Sequence, residues 1–381
     1  MEYRKIGKTD MQAGVIGIGT EYLDNKPYEI VEEVIHAALE NNINMMDLFM
    51  PGETVRKNIG LAMGSRRKDF IIQGHIGSTD IGQQYDICRD LDTCKRYFEN
   101  LLTCLKTDYI DIGMLFYIDT EEDFNKIFDN GIVDYAKTLK KQGVVRALGA
   151  SAHNPKTAKM IVETELLDLL MFSVNPAFDM MPEDLKVDTM LEDDYLKGAG
   201  GVEPARAELY ALCEKMQVSI TTMKTLGAGK LLSKEYTPFE QPLTIQQCIH
   251  YALQRPAVIS TLIGYKSKSE VEEAIRYLTL PQSEKEYSHI IGGKRNNFKG
   301  SCVYCSHCQP CPAEIDIASV NKYLDIALLD ESNIPPGTRS HYNTLAHHGS
   351  ECIACGSCEE RCPFDVPIIE NMERAKQVFG V

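Results

Sequence analysis

Val15-Ile16-Gly17-Ile18-Gly19 is the stretch on which the fold turns. It is short and continuous in apolar residues, as expected of a parallel strand covered on both faces. No Gly-x-Gly-x-x-Gly follows it, because Gly17-Ile18-Gly19 lies inside the strand, so the fingerprint of a doubly wound dinucleotide-binding sheet is broken. Seven further runs of the same kind succeed it: Met45–Phe49, Phe70–Ile76, Tyr109–Phe116, Ala147–Ala152, Leu169–Val174, Ser219–Thr225 and Val258–Tyr265. Between them lie helical patterns such as Glu29–Asn41, Thr54–Met63, Asp90–Lys106, Glu121–Lys141 and Pro204–Met216. Eight βα units over about 265 residues predict a (β/α)8 barrel, with the doubly wound sheet as the structural alternative. The opening Tyr3-Arg4-Lys5-Ile6-Gly7-Lys8-Thr9 reads as a short hairpin plugging the bottom of that barrel. Asn175 to Gly201, after the sixth strand, is long for a βα loop and is expected to shape a pocket.

The alternation stops near Pro281, and the expected division is a barrel over 1–280 and a smaller α-helical module over 281–381. That module carries eight of the chain's thirteen cysteines. One run is Cys302-Val-Tyr-Cys305-Ser-His-Cys308-Gln-Pro-Cys311-Pro312, the other Cys352-Ile-Ala-Cys355-Gly-Ser-Cys358-Glu-Glu-Arg-Cys362-Pro363. Three cysteines at steps of three followed by a distal Cys-Pro is the spacing that wraps a 4Fe–4S cube, and in two-cluster proteins the fourth cysteine of each run serves the other cube. Cys302, Cys305, Cys308 and Cys362 are therefore assigned to one cluster, and Cys352, Cys355, Cys358 and Cys311 to the second. The first run has two residues rather than three before its last cysteine. Zinc fits two runs of four poorly, and disulfides would set neighbouring cysteines in competition. Helical periodicity is expected over Asp316–Leu329 and Ile368–Val378, with a break at Ile334-Pro335-Pro336-Gly337. His347 and His348 suit no ligand set and are expected at the surface.

The net charge of −15 argues against nucleic acid, which needs clustered Lys and Arg. Arg66-Arg67-Lys68 and Lys140-Lys141 read as solvated helix ends. No apolar run approaches a membrane span, and no signal-type segment opens the chain. Cys88, Cys94, Cys104, Cys213 and Cys248 read as ordinary buried or half-buried thiols. A reducing, low-oxygen cytoplasm is the expected compartment.

Beyond the cysteine runs, Met1-Glu2-Tyr3-Arg4-Lys5-Ile6-Gly7, Asn44-Met45-Met46-Asp47, Tyr109-Ile110-Asp111, Gly149-Ala150-Ser151 and Met223-Lys224-Thr225-Leu226-Gly227 carry a resemblance over nearly the whole chain. The chain resembles the aldo/keto reductases that carry a C-terminal ferredoxin-like domain. That resemblance implies a nicotinamide-binding barrel that reduces carbonyls through an Asp, Tyr, Lys and His tetrad at neighbouring strand ends. Position by position, only Asp47 matches. No tyrosine stands in Met50-Pro51-Gly52-Glu53, His75 replaces the lysine, and Phe116 replaces the histidine. The resemblance further assigns Ser151 to the nicotinamide carboxamide and Gly264-Tyr265-Lys266-Ser267 to a phosphate-binding turn, where backbone N–H groups meet phosphate. The usual neighbours are missing, with Ala152, Met171, Glu270 and Ala274 in their places.

With the phenol–lysine pair absent, Asp47 and His75 become the expected catalytic residues. They should face each other on adjacent strands, the carboxylate orienting the imidazole. His153 has a structural duty in its loop as the competing reading. Asn175 and Lys224 are further candidates to contact a cofactor, and Tyr22 is the nearest alternative phenol. The expected activity is oxidoreduction of a small organic substrate, with electrons passing through two 4Fe–4S clusters, sometimes to a partner protein. NAD(P)H is a candidate cofactor, and a flavin stays open as the link between one-electron and two-electron steps. The competing classes are a non-catalytic barrel serving electron transfer or binding, and a hydride-transferring enzyme whose clusters are structural.

Overall fold

The computed structural model describes residues 1–80, 85–180, 202–291, 300, 302, 308–328, 331, 334, 336–362 and 365–381. The chain opens with an antiparallel hairpin, Tyr3–Lys5 (β1) on Gln12–Gly14 (β2). Ile16–Gly19 (β3), Tyr28–Glu40 (α1), Met45–Leu48 (β4), Glu53–Met63 (α2) and Ile71–Ile76 (β5) follow. A small ribbon, Ser78–Thr79 (β6) on Asp86–Ile87 (β7), precedes Leu91–Leu105 (α3) and Ile110–Leu115 (β8). Then come Glu121–Asp129 (α4), Ile132–Gln142 (α5), Val145–Ala152 (β9), Pro155–Glu163 (α6) and Leu169–Ser173 (β10). Pro204–Met216 (α7), Ser219–Met223 (β11), Ile245–Leu253 (α8), Val258–Gly264 (β12) and Lys268–Ile275 (α9) complete the alternation.

Strands β3, β4, β5, β8, β9, β10, β11 and β12 pair in that order, all parallel, and β12 closes on β3. This is a (β/α)8 barrel, and the closure excludes the doubly wound sheet. Each expected strand is present at nearly its expected bounds. Gly17 serves packing: a Cβ there would lie 2.7 Å from Leu262 Cδ2 and 2.9 Å from the Met45 carbonyl oxygen. Ile6 and Ala13 of the hairpin join Met45, Ile112, Leu169 and Leu262 in an apolar layer inside the barrel. The Gly7 N–H donates to Ser219 Oγ at 2.7 Å, at the start of β11. The hairpin thus plugs the N-terminal end and leaves the C-terminal mouth for chemistry.

Two local expectations are corrected. Glu121–Lys141 is two helices, because Gly131 sits at φ 76° in the left-handed region and ends the hydrogen-bonded run between α4 and α5. Arg67 is buried rather than solvated, donating to Asp111 Oδ2 at 2.9 Å beneath the Tyr109 ring, and Lys140 pairs with Asp168 at 2.9 Å.

Past the barrel, Gln282–Lys285 (α10) and Ser288–Ile291 (α11) lie near α8, whose Gln247 donates to the Glu286 carbonyl at 2.6 Å. Ile317–Leu328 (α12), Pro336–Asn343 (α13), Ser357–Arg361 (α14) and Ile368–Phe379 (α15) form a helical region. The expected break at residues 334–337 is shorter than read, since Pro336 opens α13, a position where the missing N–H is not needed. His347 and His348 are partly exposed: His347 Nδ1 pairs with Glu351 at 2.9 Å, and the His348 ring lies 5.2 Å from Tyr342. His341 of α13 pairs with the buried Glu214 of α7 at 2.5 Å, tying this region to the barrel. Among the described residues no helix is long and apolar enough to cross a membrane.

The barrel's outer layer also holds an acid-sensitive group. His250 of α8 is buried beside Tyr277 and Gln282, and burial pushes its imidazole down to about 3. Between about pH 6.5 and 3 the unfolded chain therefore binds a proton that the folded chain refuses, and stability falls as pH falls. Urea unfolding should show this as a slope of up to about 1.4 kcal/mol per pH unit below pH 6.5, flattened in His250→Gln. Identical slopes in the two proteins would contradict the assignment.

Candidate functional site

Strand parity builds the core of the mouth. Gln73 and His75 are two apart on β5 and share its inward face, while Asp47 on β4 stands opposite Gln73. Asp47 Oδ1 accepts from Gln73 Nε2 at 3.0 Å and from His75 Nε2 at 2.7 Å, and Gln73 Oε1 accepts from Thr221 at 2.8 Å. Because the carboxylate only accepts, the His75 proton lies on Nε2, and a neutral ring carries its lone pair on Nδ1. That Nδ1 is buried and finds no hydrogen-bond partner among the described residues. The expected Asp47–His75 pair is thus formed.

The pair is closed off from solvent. His75 is only 2% exposed and Asp47 1%. The Phe116 ring meets the imidazole edge-on at 5.3 Å, and Phe49, itself stacked on Phe116, lies 6.2 Å away. Tyr85 closes the cluster at 5.3 Å from Phe49 and 6.2 Å from Phe116. Phe116 therefore makes an apolar wall beside His75.

Glu21 and Lys224 stand at the rim. Loss of hydration pushes the Glu21 carboxyl up from its ordinary value, the nearby Lys224 opposes this, and Asp47 adds to it. Lys224 itself sits in a left-handed conformation at φ 56°. Its carbonyl accepts from Asn175 Nδ2 at 2.7 Å, while Asn175 Oδ1 accepts from the Phe178 N–H at 2.9 Å. Ser151 Oγ accepts from the Tyr117 N–H at 2.8 Å. His153 is held by Asp119, through Nδ1 at 2.9 Å and its backbone N–H at 2.6 Å. Burial raises the Asp119 carboxyl, but the His153 contacts outweigh it and hold it below the ordinary value. Asp179, buried with Arg206, Tyr210 and Tyr251, anchors the start of the long loop. Residues 181–201 of that loop lie outside the described residues.

At the turn after β12, Gly264 packs under Tyr22, and a Cβ there would stand 2.3 Å from the ring's Cδ2. The Lys266 ammonium lies 4.6 Å over the same ring, and Ser267 Oγ bonds Ser269 Oγ at 2.9 Å. Tyr22 thus packs against this turn, while Tyr85 and Tyr117 both lie against Phe116 beside His75. Two of the missed residues had a signal. Gln73 shares the strand parity of His75, and Glu21 follows the first barrel strand, where barrel chemistry concentrates.

In the helical region, Cys311, Cys352, Cys355 and Cys358 line one partly open cavity together with Ile315, Ile368, Met372 and Arg361. These are the four cysteines assigned to the second cluster. Arg361 donates twice to the Cys308 carbonyl, at 3.2 and 2.7 Å, and to the Pro310 carbonyl at 2.7 Å, bridging the two runs. The Ser357 backbone N–H and hydroxyl pull the Cys355 thiol below its ordinary value. Of the other set, Cys302 and Cys362 are half-buried, Cys308 is buried, and Cys305 lies outside the described residues. Among the described residues no three His, Cys, Asp or Glu side chains converge as they would on a single metal ion. A cube is held at its corners and asks for ligands spread around a cavity.

Residues 11–244, more than half of the chain, match the sequence profile of the aldo/keto reductase family. The chain belongs to that family. The aldo-keto reductase AKR11C1 of Bacillus halodurans, in its holo form, is similar in structure, with a TM-score of 0.58 and 19% identity over 75% of this chain and 94% of that one. PA4992 of Pseudomonas aeruginosa is similar at a TM-score of 0.55 and 15% identity, over 72% of this chain and 95% of that one. The F420-dependent formate dehydrogenase subunit beta of Methanocaldococcus jannaschii is 20% identical over 169 residues, 41% of this chain and 43% of that relative's length. Aldo/keto reductases are oxidoreductases of small molecules and commonly use NAD(P)H.

Asp47→Ala should leave Gln73 Nε2 and His75 Nε2 without an acceptor in the barrel interior. At about 1–3 kcal/mol for each orphaned buried group, the loss of stability should reach about 2–5 kcal/mol by urea unfolding. Asp47→Asn keeps one acceptor and should lose less. Equal and negligible losses would show that the pair does not hold the mouth together.

Proposed function

We propose that this aldo/keto reductase is an iron–sulfur oxidoreductase: a barrel acting on a small organic substrate, joined at about residue 280 to a helical module that holds two 4Fe–4S clusters. The supporting observation is the shared cavity. Cys311 belongs to the first run in sequence yet lines the cavity of Cys352, Cys355 and Cys358, the crossed arrangement a two-cluster module requires. Bound clusters would supply single electrons.

The chain's own residues have definable tasks. Arg361 brings the Cys308–Cys311 segment to the second run, so that Cys311 can reach the cavity. The Ser357 contacts favour the thiolate that a cluster ligand must be. In the barrel, Asp47 fixes the tautomer of His75 and leaves Nδ1 as the atom that takes or returns a proton. A substrate reaches that atom by displacing the Phe49 and Phe116 rings, which also exclude water from it. Single electrons and a two-electron substrate need a go-between, either a flavin or an electron-transfer partner protein. The relative named as a formate dehydrogenase subunit favours the partner. A reducing cytoplasm suits exposed clusters.

The burial of His75 favours a second reading, in which the barrel no longer catalyses and the protein passes electrons or binds a ligand. Anaerobically prepared protein should contain about eight iron and eight sulfide per chain. Cys311→Ser and Cys355→Ser should each remove the same four irons, with the same spectrum remaining. Stoichiometric zinc, or different spectra in the two variants, would end the assignment. With the physiological substrate, His75→Ala should lower turnover about 100- to 10,000-fold and leave the iron count unchanged. Full activity in that variant would remove His75 from the chemistry and favour the second reading.

A further inference from the structure

In a (β/α)8 barrel the loops after the last two strands and the start of a nearby helix commonly bind phosphate, because free N–H groups point outward there. Here two of those N–H groups are already taken by carboxylates of the chain. The Lys266 N–H donates to Glu270 Oε2 at 2.7 Å, and the Lys268 N–H, at the first residue of α9, donates to Glu33 Oε1 at 3.1 Å. Glu33 comes from α1, so the second contact spans two helices that are far apart in sequence.

The other groups a phosphate would recruit are engaged as well. The Lys268 ammonium pairs with Glu40 at 2.9 Å, and the Lys266 ammonium rests on the Tyr22 ring. The Ser267 hydroxyl shares a hydrogen bond with Ser269. At the nicotinamide end, Ser151 and Asn175 are bonded to backbone. A phosphate entering the turn would meet two carboxylates, and like charges at such distances repel.

We propose that Glu33 and Glu270 are specificity-determining residues, internal anions that hold the phosphate position of the barrel against a phosphorylated dinucleotide. This reading is independent of the clusters. Replacing the two carboxylates by amides leaves the helix start in place, keeps an oxygen that can accept from each N–H, and removes the negative charge without adding a cation. The gain should therefore come from relieved repulsion alone, and it should appear for any ligand that presents a phosphate there.

The test uses the full chain, prepared anaerobically, and titration calorimetry with pyrophosphate, NADPH and NADH. Glu33→Gln/Glu270→Gln should bind pyrophosphate and NADPH at least tenfold more tightly than the wild type, with NADH gaining less than NADPH. Each single variant should give an intermediate gain and serves if the double variant folds poorly, as checked by circular dichroism. Iron content, measured in parallel, reports on the cluster reading separately. Equal affinities in wild type and variants, or tighter binding by the wild type, would overturn the proposal.

Discussion

The parallel pairing of β12 with β3 closes the sheet, and the arrangement of the barrel mouth depends on that closure. Residues from opposite ends of the barrel sequence are joined by it, with Gly264 beside Gly19 and Thr261 beside Ile16. Closure leaves no edge strand to pair with another chain, and it sets all eight C-terminal strand ends around one mouth. The same register places Gly17 where only hydrogen fits, between Leu262 and the Met45 carbonyl.

A buried carboxylate then organises the mouth. Asp47 carries negative charge into a region about 1% exposed and is stabilised there by the Gln73 and His75 donors. Buried charge is tolerated only when its lone pairs are met, and Gln73 is in turn fixed by Thr221 from the far side of the barrel. The barrel interior at this level is therefore a connected polar network rather than a hole. His75 takes the carboxylate, and Phe116 with Phe49 and Tyr85 fills the space above it.

The helical region repeats this logic with sulfur. Arg361 spends its donors on the carbonyls of Cys308 and Pro310, so the cation bridges two segments more than 40 residues apart. Ile315, Ile368 and Met372 supply apolar walls to the partly solvent-open cavity of Cys311, Cys352, Cys355 and Cys358. His341 and Glu214 then fasten this region to α7 of the barrel.

The amino-acid sequence determined the strand order of events. Apolar runs of period-insensitive strand length alternating with amphipathic helices allow few packings, and the eight strands from Ile16 to Gly264 follow from that pattern alone. The cysteine spacing and the Asp47–His75 pairing were legible for a similar reason: both depend on local periodicity and on adjacent strands. Side-chain partners across distant elements were not legible. The Glu33 contact to Lys268, the Phe49–Tyr85–Phe116 cluster over His75 and the Arg361 bridge join residues separated by tens to hundreds of positions. Which of several available carboxylates or rings fills such a place is decided by the closed barrel's geometry, because only there do these side chains share a volume.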